Sequence, residues 1–285
     1  MKLCRFDGTR FGVVTDAGIH DVAGAVLDLP ACGYPYPSHD LLIANLPRLK
    51  DSMPRLAEAS PAMPLGSVAF DAPVANPGKL VGAPVNYVKH LEEVRDQAAL
   101  HHNNEAHTRQ IREIGLFLKA TSSLIGPGRA VEIGKPDSRN DHEVELAVVI
   151  GRTCKAVAAK DALGVVAGYA IGLDMTVRGP QDRSLRKSLD TYSVLGPWLV
   201  TADEIPDPSS LDLELKVNGE IRQKANTRDL VLSVPELIEF ASGYYTLHPG
   251  DVIFTGTPEG VSEVRAGDVM EARIDGIGTM TVAVH

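Results

Sequence analysis

The chain has 285 residues and a mass of 30.5 kDa, enough to bury a large core in one or two domains. Its formal net charge of −9 argues against a nucleic acid or an anionic membrane as the main partner. Charged residues at 23% and hydrophobic residues at 44% are ordinary for a globular protein, and no apolar run approaches the roughly 20 residues that cross a bilayer. The three cysteines (Cys4, Cys32 and Cys154) are scattered and odd in number, which favours reduced thiols and a cytoplasmic location.

The first seventy residues predict a small N-terminal domain. Short apolar segments separated by turn residues predict strands at 2–6, 11–15 and 18–22. Leucines at roughly helical spacing then predict a helical stretch at 38–59, which two prolines interrupt. Proline-rich connectors follow and end near Asn76. We therefore predict a small α+β domain at 1–75 and a main domain at 76–285.

Asn86-Tyr87 follows a short apolar segment and predicts the start of a helix. His90 and Glu93 lie three residues apart, so on a helix they share one face. A carboxylate beside an imidazole fixes its tautomer and raises its basicity, which makes a general base that can activate water. The next segment, 94–114, is expected to be a polar mobile loop and helix. Its histidines are expected to have no role in the site; they are His101, His102 and His107.

Two apolar segments further on carry acidic residues. The β-branched segment 143–151 predicts a strand on which Glu143 and Glu145 share a face. A second buried strand, 165–174, ends in Asp174. Carboxylates this close repel one another in a low dielectric unless a proton or cation lies between them. Three carboxylates without a nearby histidine or cysteine suit magnesium, manganese or calcium, so the pattern predicts a divalent metal site. The Glu-x-Glu pair alone also fits a solvated edge strand.

The remaining sequence predicts short strands and turns. Asn218-Gly219 suits a type I′ hairpin between strands at 211–217 and 220–224. A helix is predicted at 234–244, with Ser233 as its N-cap. The turn after the strand at 252–254 would aim Thr257 and backbone amides at a ligand. Because no phosphate-binding glycine motif and no long helix–strand alternation occur, a mostly β body is favoured over a doubly wound sheet.

Six short motifs between residues 79 and 285 resemble the fumarylacetoacetate hydrolase family, in that family's order. They are Asn-Tyr-x-x-His-x-x-Glu (86–93), Phe-x-Lys followed by serines (117–123), Asp-x-Glu-x-Glu-Leu (141–146), Asp-x-x-x-Arg-x-x-Gln (174–181), Lys-Ser-x-Asp followed by Gly-Pro-Trp (187–198) and Gly-Thr-Pro-x-Gly (256–260). The resemblance implies a mostly β, α+β fold: a mixed β-sandwich roll with a small N-terminal α+β domain, usually as a homodimer.

The resemblance also implies roles for particular residues. Mg²⁺ or Mn²⁺ would be held by the three carboxylates (Glu143, Glu145 and Asp174). His90 with Glu93 would activate water, and Lys187 would be a cation near the metal and the developing enolate. The positions implied for substrate binding are Lys119, Ser122, Arg178, Gln181 and Thr257. Segment 94–114 corresponds to a lid that is shorter in smaller relatives, and it would decide which substrate tail fits.

The activity implied is that of a metal-dependent hydrolase. It would cleave the carbon–carbon bond of an acylpyruvate or related 2,4-diketo acid to pyruvate and a carboxylic acid, in the catabolism of aromatic or sugar-acid compounds. The same site could instead decarboxylate oxaloacetate or isomerise a hydroxy-diene-dioate. Leu173 and Gly179 depart from the family's usual residues, which leaves a non-catalytic metal-binding member open.

Overall fold

Strands provide most of the regular structure of the chain, which a computed structural model describes for residues 1–102 and 108–285. The strands are β1 (Lys2–Phe6), β2 (Arg10–Thr15), β3 (Gly18–Asp21), β4 (Ala62–Met63), β5 (Phe70–Asp71), β6 (Leu80–Gly82), β7 (Phe117–Lys119), β8 (Leu124–Ile125), β9 (Asn140–His142), β10 (Val144–Ile150), β11 (Val166–Asp174), β12 (Thr176–Val177), β13 (Ser193–Thr201), β14 (Asp212–Val217), β15 (Glu220–Asn226), β16 (Val252–Phe254), β17 (Ser262–Glu263), β18 (Val269–Ile274) and β19 (Gly278–Ala283).

The helices are short and lie between the strands. They are α1 (Leu41–Leu49), α2 (Ser52–Ala59), α3 (Val88–Asp96), α4 (Ala98–His101), α5 (Ile111–Ile114), α6 (Ala159–Ala162), α7 (Arg183–Arg186) and α8 (Val234–Tyr244). Short 3₁₀ segments occur at Ala23–Asp28, Leu65–Ser67, Thr121–Ser123, Leu163–Val165, Pro208–Ser210 and Thr227–Asp229. In the part of the chain that the structure describes, none of these helices is long and apolar enough to cross a membrane.

Twelve of the described strands form one large sheet. Its order is β4-β3-β2-β1-β13-β11-β10-β16-β6-β7, with β5 beside β1 and β8 beside β13. Smaller sheets have the orders β12-β9-β17 and β15-β14-β18-β19. Most neighbours are antiparallel, whereas β16 runs parallel to β6 and β8 runs parallel to β13. This is the mostly β, α+β architecture that the sequence predicts.

The N-terminal strands extend the large sheet. Strand β1 pairs with β13, so that Lys2 lies opposite Val200. The helical stretch predicted at 38–59 forms two helices, α1 and α2, and the side chain of Asp40 caps the first by accepting a hydrogen bond from the Ile43 amide at 3.0 Å. Because the sheet is continuous across both parts of the chain, the predicted boundary near Asn76 stays a prediction.

The predicted hairpin and helix in the C-terminal half are confirmed. Asn218 and Gly219 both have positive φ angles, 51° and 84°, as a type I′ turn between β14 and β15 requires. Helix α8 begins after Ser233, whose amide donates to Glu236 Oε2 at 2.9 Å in a capping box. These local signals specify the β14–β15 hairpin and the start of α8.

Both faces of the large sheet are covered, and β10 is buried along its whole length. One face of β10 (Leu146 and Val148) packs in the same apolar cluster as the four-stranded sheet. The other face (Ala147 and Val149) packs in the cluster that contains α1. Glu145 continues the row of Ala147 and Val149, because alternate residues of a strand share a face. The acidic residues therefore lie where an apolar row ends.

Candidate active site

The three predicted metal ligands come together at the ends of two paired strands. Glu145 is the second residue of β10, and Asp174 is the last residue of β11. Glu143 immediately precedes β10 instead of lying within it, and its carbonyl accepts a hydrogen bond from the Asp174 amide at 2.9 Å. The carboxylates each offer one oxygen within 4.8 Å of the others, and the three residues are only 4%, 2% and 1% exposed.

Three cations surround two of these carboxylates. Lys187 Nζ donates to Glu143 Oε2 and Asp174 Oδ2, each at 2.7 Å. Lys119 Nζ donates to the other oxygen of Asp174 and, at 2.7 Å, to the Tyr192 carbonyl. The Arg178 guanidinium donates to Glu143 Oε1 at 2.8 Å and to Asp141 Oδ2 at 2.7 Å. The cations fix the carboxylate positions through charge-assisted hydrogen bonds.

The carboxyl groups differ in their protonation. Burial would raise the pKa of Glu143, but the charges of Lys187 and Arg178 hold that pKa well below its usual range. Glu145 receives one hydrogen bond, from the Gly256 amide at 2.6 Å, and burial together with the charge of Asp174 raises its pKa well above the usual range. A divalent cation would favour the ionised form of Glu145. Three buried carboxylate oxygens thus fit Mg²⁺ or Mn²⁺.

His90 and Glu93 form the predicted pair on helix α3. His90 Nδ1 lies 2.8 Å from Glu93 Oε2, and the other carboxylate oxygen accepts from the Gly260 amide at 3.1 Å. An ionised carboxylate only accepts hydrogen bonds, so this contact makes Nδ1 the donor and leaves Nε2 as the nitrogen that faces a proton from water. The imidazole is 4% exposed and lines the same cavity as the three carboxylates.

This cavity brings together polar and apolar side chains from several elements of the fold. The predicted site residues that line it are His90, Glu143, Glu145, Asp174, Arg178, Lys187 and Thr257. Arg183 and Arg186, which the sequence reasoning missed, also line it, together with apolar residues such as Val94 and Leu100 of the predicted lid. Their signal was the cationic run Arg183-Ser-Leu-Arg186-Lys187, in which the two arginines lie one helical turn apart.

Other predicted site residues lie outside the cavity. Lys119 is 3% exposed and sits behind Asp174. Ser122 is exposed in a 3₁₀ turn, and the Gln181 side chain is exposed after Pro180. Of the lid histidines, His101 ends α4 and His107 lies outside the described residues.

Thr257 lines the cavity, and its hydroxyl is hydrogen-bonded to two neighbouring segments of the chain. Its hydroxyl donates to the Val144 carbonyl at 2.9 Å and accepts from Gln223 Nε2 at 2.8 Å. Thr257 therefore ties the turn after β16 to the start of β10, next to the carboxylates.

Comparisons with known proteins agree with this geometry. The family model described as fumarylacetoacetate (FAA) hydrolase C-terminal matches residues 79–285. The maleylpyruvate hydrolase of Aquipseudomonas alcaligenes is 54% identical over 285 residues, which cover 100% of this chain and 99% of that protein. The 2,4-didehydro-3-deoxy-L-rhamnonate hydrolase of Sphingomonas sp. (strain SKA58) is 38% identical over 297 residues, with 98% and 94% covered.

A solved structure is also similar over the whole chain. The maleylpyruvate hydrolase from Sphingobium sp. SYK-6, in complex with manganese (II) ion and pyruvate, has a TM-score of 0.84 and 41% sequence identity. The match covers 100% of this chain and 98% of that one. The resemblance and the fold inferred from six motifs are therefore confirmed: the chain belongs to the fumarylacetoacetate hydrolase family.

Proposed function

We propose that this protein is a metal-dependent hydrolase that cleaves the carbon–carbon bond of an acylpyruvate or related 2,4-diketo acid, giving pyruvate and a carboxylic acid. The observation that carries the proposal is that His90, oriented by Glu93, and the three carboxylates line one cavity. Support comes from the relatives named maleylpyruvate hydrolase, one of which was crystallised with manganese and pyruvate. An activated water distinguishes hydrolysis from decarboxylation and isomerisation, and the dyad supplies that base.

The residues of the cavity have different roles in the proposed reaction. Mg²⁺ or Mn²⁺, held by Glu143, Glu145 and Asp174, would supply Lewis acidity towards the keto-acid head of the substrate. His90 Nε2 takes a proton from water, and the resulting hydroxide adds to the distal carbonyl carbon. The bond from that carbon to the methylene group then breaks, and its electron pair passes to pyruvate as an enolate. The His90 proton ends on the methylene carbon.

Lys187 and Arg178 contribute positive charge to the part of the cavity where the enolate forms. The Lys187 ammonium, already 2.7 Å from Glu143 and Asp174, stabilises the enolate as its charge develops. Arg178 lines the cavity and orients Glu143, and Lys119 positions Asp174 from behind. Thr257 is assigned to substrate orientation from its place in the cavity wall.

Substrate contacts by Ser122 and Gln181 stay predictions. Both side chains lie at the surface, outside the cavity. A crystal structure with a keto-acid analogue bound is the measurement that decides their roles.

A homodimeric, cytoplasmic enzyme with a separate N-terminal domain at 1–75 is part of the same proposal. Family resemblance supports the dimer, and the three cysteines, all free in the structure, support a reducing compartment. Light scattering after size exclusion should give twice the 30.5 kDa of one chain. A mass of a single chain would contradict the dimer.

The test offers the purified protein several keto acids with Mn²⁺ or Mg²⁺, with and without a chelator. Maleylpyruvate, acetylpyruvate and oxaloacetate are supplied while pyruvate, carboxylic acid and carbon dioxide are measured. Chelator-sensitive release of equal amounts of pyruvate and carboxylic acid is expected. Carbon dioxide without a carboxylic acid would identify a decarboxylase, and an isomerised substrate without pyruvate an isomerase. No chelator-sensitive product from any compound would favour a non-catalytic family member.

A further inference from the structure

Arg183 differs from the other cationic side chains of the active-site cavity. Arg178 and Lys187 are paired with carboxylates. Arg186 donates to two backbone carbonyls, at 2.8 and 3.1 Å. The Arg183 guanidinium, which lines the same cavity, has no hydrogen bond or ion pair with any residue in the described ranges 1–102 and 108–285. It is therefore the cation of this wall that is available to a ligand.

The lack of a partner has a physical cost. Arg183 is half-buried at the first position of α7, and burial lowers the pKa of its guanidinium, an effect that the charges of Glu143 and Asp182 oppose. A desolvated charge without a hydrogen-bonded partner is unfavourable. An anion that enters the cavity would recover the lost interactions, and the planar guanidinium fork matches a carboxylate with two parallel hydrogen bonds.

The position of the carboxylates decides which part of the substrate Arg183 meets. Under the proposed function, the keto-acid head of the substrate lies at Glu143, Glu145 and Asp174, beside Lys187. The charges of Lys187 and of Arg178 are already engaged there. A second carboxylate on the substrate needs a separate cation, and Arg183 supplies it. Apolar side chains in the same cavity, including Val94 and Leu100, suit the hydrocarbon between the two ends.

We propose that Arg183 binds a carboxylate at the far end of the acyl group, so that the enzyme selects acylpyruvates whose tail is itself an acid. The proposal rests on the proposed function and names the substrate class of that site. Maleylpyruvate, the compound in the names of two relatives, has a carboxylate at each end.

The experiment compares two substrates that differ in the charge of the tail. Maleylpyruvate has an anionic tail, and acetylpyruvate ends in a methyl group. Arg183→Met should lower kcat/KM for maleylpyruvate about 10- to 100-fold, the usual effect of losing hydrogen bonds between charged groups. The kcat/KM for acetylpyruvate should stay within about twofold, since its methyl tail makes no hydrogen bond with Arg183. Arg183→Lys, which keeps the charge, should recover part of the loss.

Arg129→Met is the matched control, because Arg129 is exposed and lies outside the cavity. It should leave both substrates unaffected. An equal loss for both substrates in Arg183→Met would place Arg183 at the shared keto-acid head and overturn the proposal. Unchanged kinetics with maleylpyruvate would also overturn it. Circular dichroism and thermal melting establish that each variant is folded.

A binding measurement separates this proposal from the proposed function. Maleate and isocrotonate are both cis alkenes and differ only in that a methyl group replaces one carboxylate, so calorimetric titration with each reports the second carboxylate directly. The unaltered protein should prefer maleate, and Arg183→Met should lose the preference. If no acylpyruvate is hydrolysed, the proposed function fails. The calorimetric titrations would still show whether Arg183 binds a carboxylate. Absence of a preference for maleate in the unaltered protein would overturn the inference.

Discussion

Replacing Glu93 with glutamine tests the proposed base directly. In the structure both carboxylate oxygens of Glu93 accept hydrogen bonds, one from His90 at 2.8 Å and one from the Gly260 amide at 3.1 Å. A glutamine has one accepting oxygen, and its NH₂ group only donates. If the oxygen stays with Gly260, the NH₂ group faces Nδ1, and the imidazole must move its proton to Nε2. The nitrogen that should accept the proton from water is then blocked.

The expected loss follows from this change of tautomer. A positioned general base is worth about 10²- to 10⁴-fold in rate. Because Glu93→Gln leaves the imidazole in place but disfavours the useful tautomer, kcat should fall about 10²- to 10³-fold. KM should change little, since Glu93 lies behind His90 and does not line the cavity. His90→Ala removes the same function, so the double variant should be no slower than His90→Ala alone.

The assay couples pyruvate release to lactate dehydrogenase at saturating acylpyruvate and metal. Glu92→Gln is the matched control, because Glu92 is exposed on the same helix, and residues two apart on a helix do not face each other. Control kinetics should equal those of the unaltered protein. Glu93→Gln with undiminished kcat would refute the reasoning, as would a double variant whose losses multiply.

Further predictions concern stability and metal binding. Asn86 is fully buried and its amide makes three hydrogen bonds of 2.8–2.9 Å to backbone groups, so Asn86→Ala should lower the free energy of unfolding in urea by about 3–4 kcal/mol, and a loss below about 1 kcal/mol would contradict this. The hydrogen bond from Lys50 lowers the pKa of Asp203 from 3.8 to about 2, so its contribution is present above about pH 4 and is lost as the pH falls towards 2. Asp203→Asn should flatten acid unfolding in that window, and an unaltered curve would contradict the assignment. Glu145→Gln should weaken Mn²⁺ binding in calorimetry more than about tenfold, whereas the melting temperature in chelator should change little; unchanged Mn²⁺ affinity would exclude Glu145 as a ligand.

Local chemistry made much of the fold predictable. The Asn218-Gly219 turn and the Ser233 cap depend on residues that are adjacent or one helical turn apart, and the structure has both. The pairing of β1 with β13 joins residues about two hundred positions apart, and nothing in either segment indicates the other. Sequence patterns determine which face of a strand is buried. Which strands pair with each other depends on the whole chain.

The same distinction applies to the site. His90 and Glu93 are neighbours on one helical turn, so their hydrogen bond follows from spacing alone. Lys119 ends a short strand and could equally be a solvated tip; only the fold places it against Asp174. Arg183 was missed because the basic run 183–187 fits a solvated helix face equally well, and only the fold shows that it lines the cavity. Its importance comes from the cavity it lines and from the partner it lacks.

The ion pairs of Lys119, Lys187 and Arg178 with the buried carboxylates affect how far the fold depends on a metal ion. Glu143 and Asp174 are each paired with these cations, so the burial of the two charges is compensated by side chains of the chain itself. Small modules that fold only around zinc differ, because there the metal supplies that compensation. We therefore expect this chain to keep its fold in a chelator.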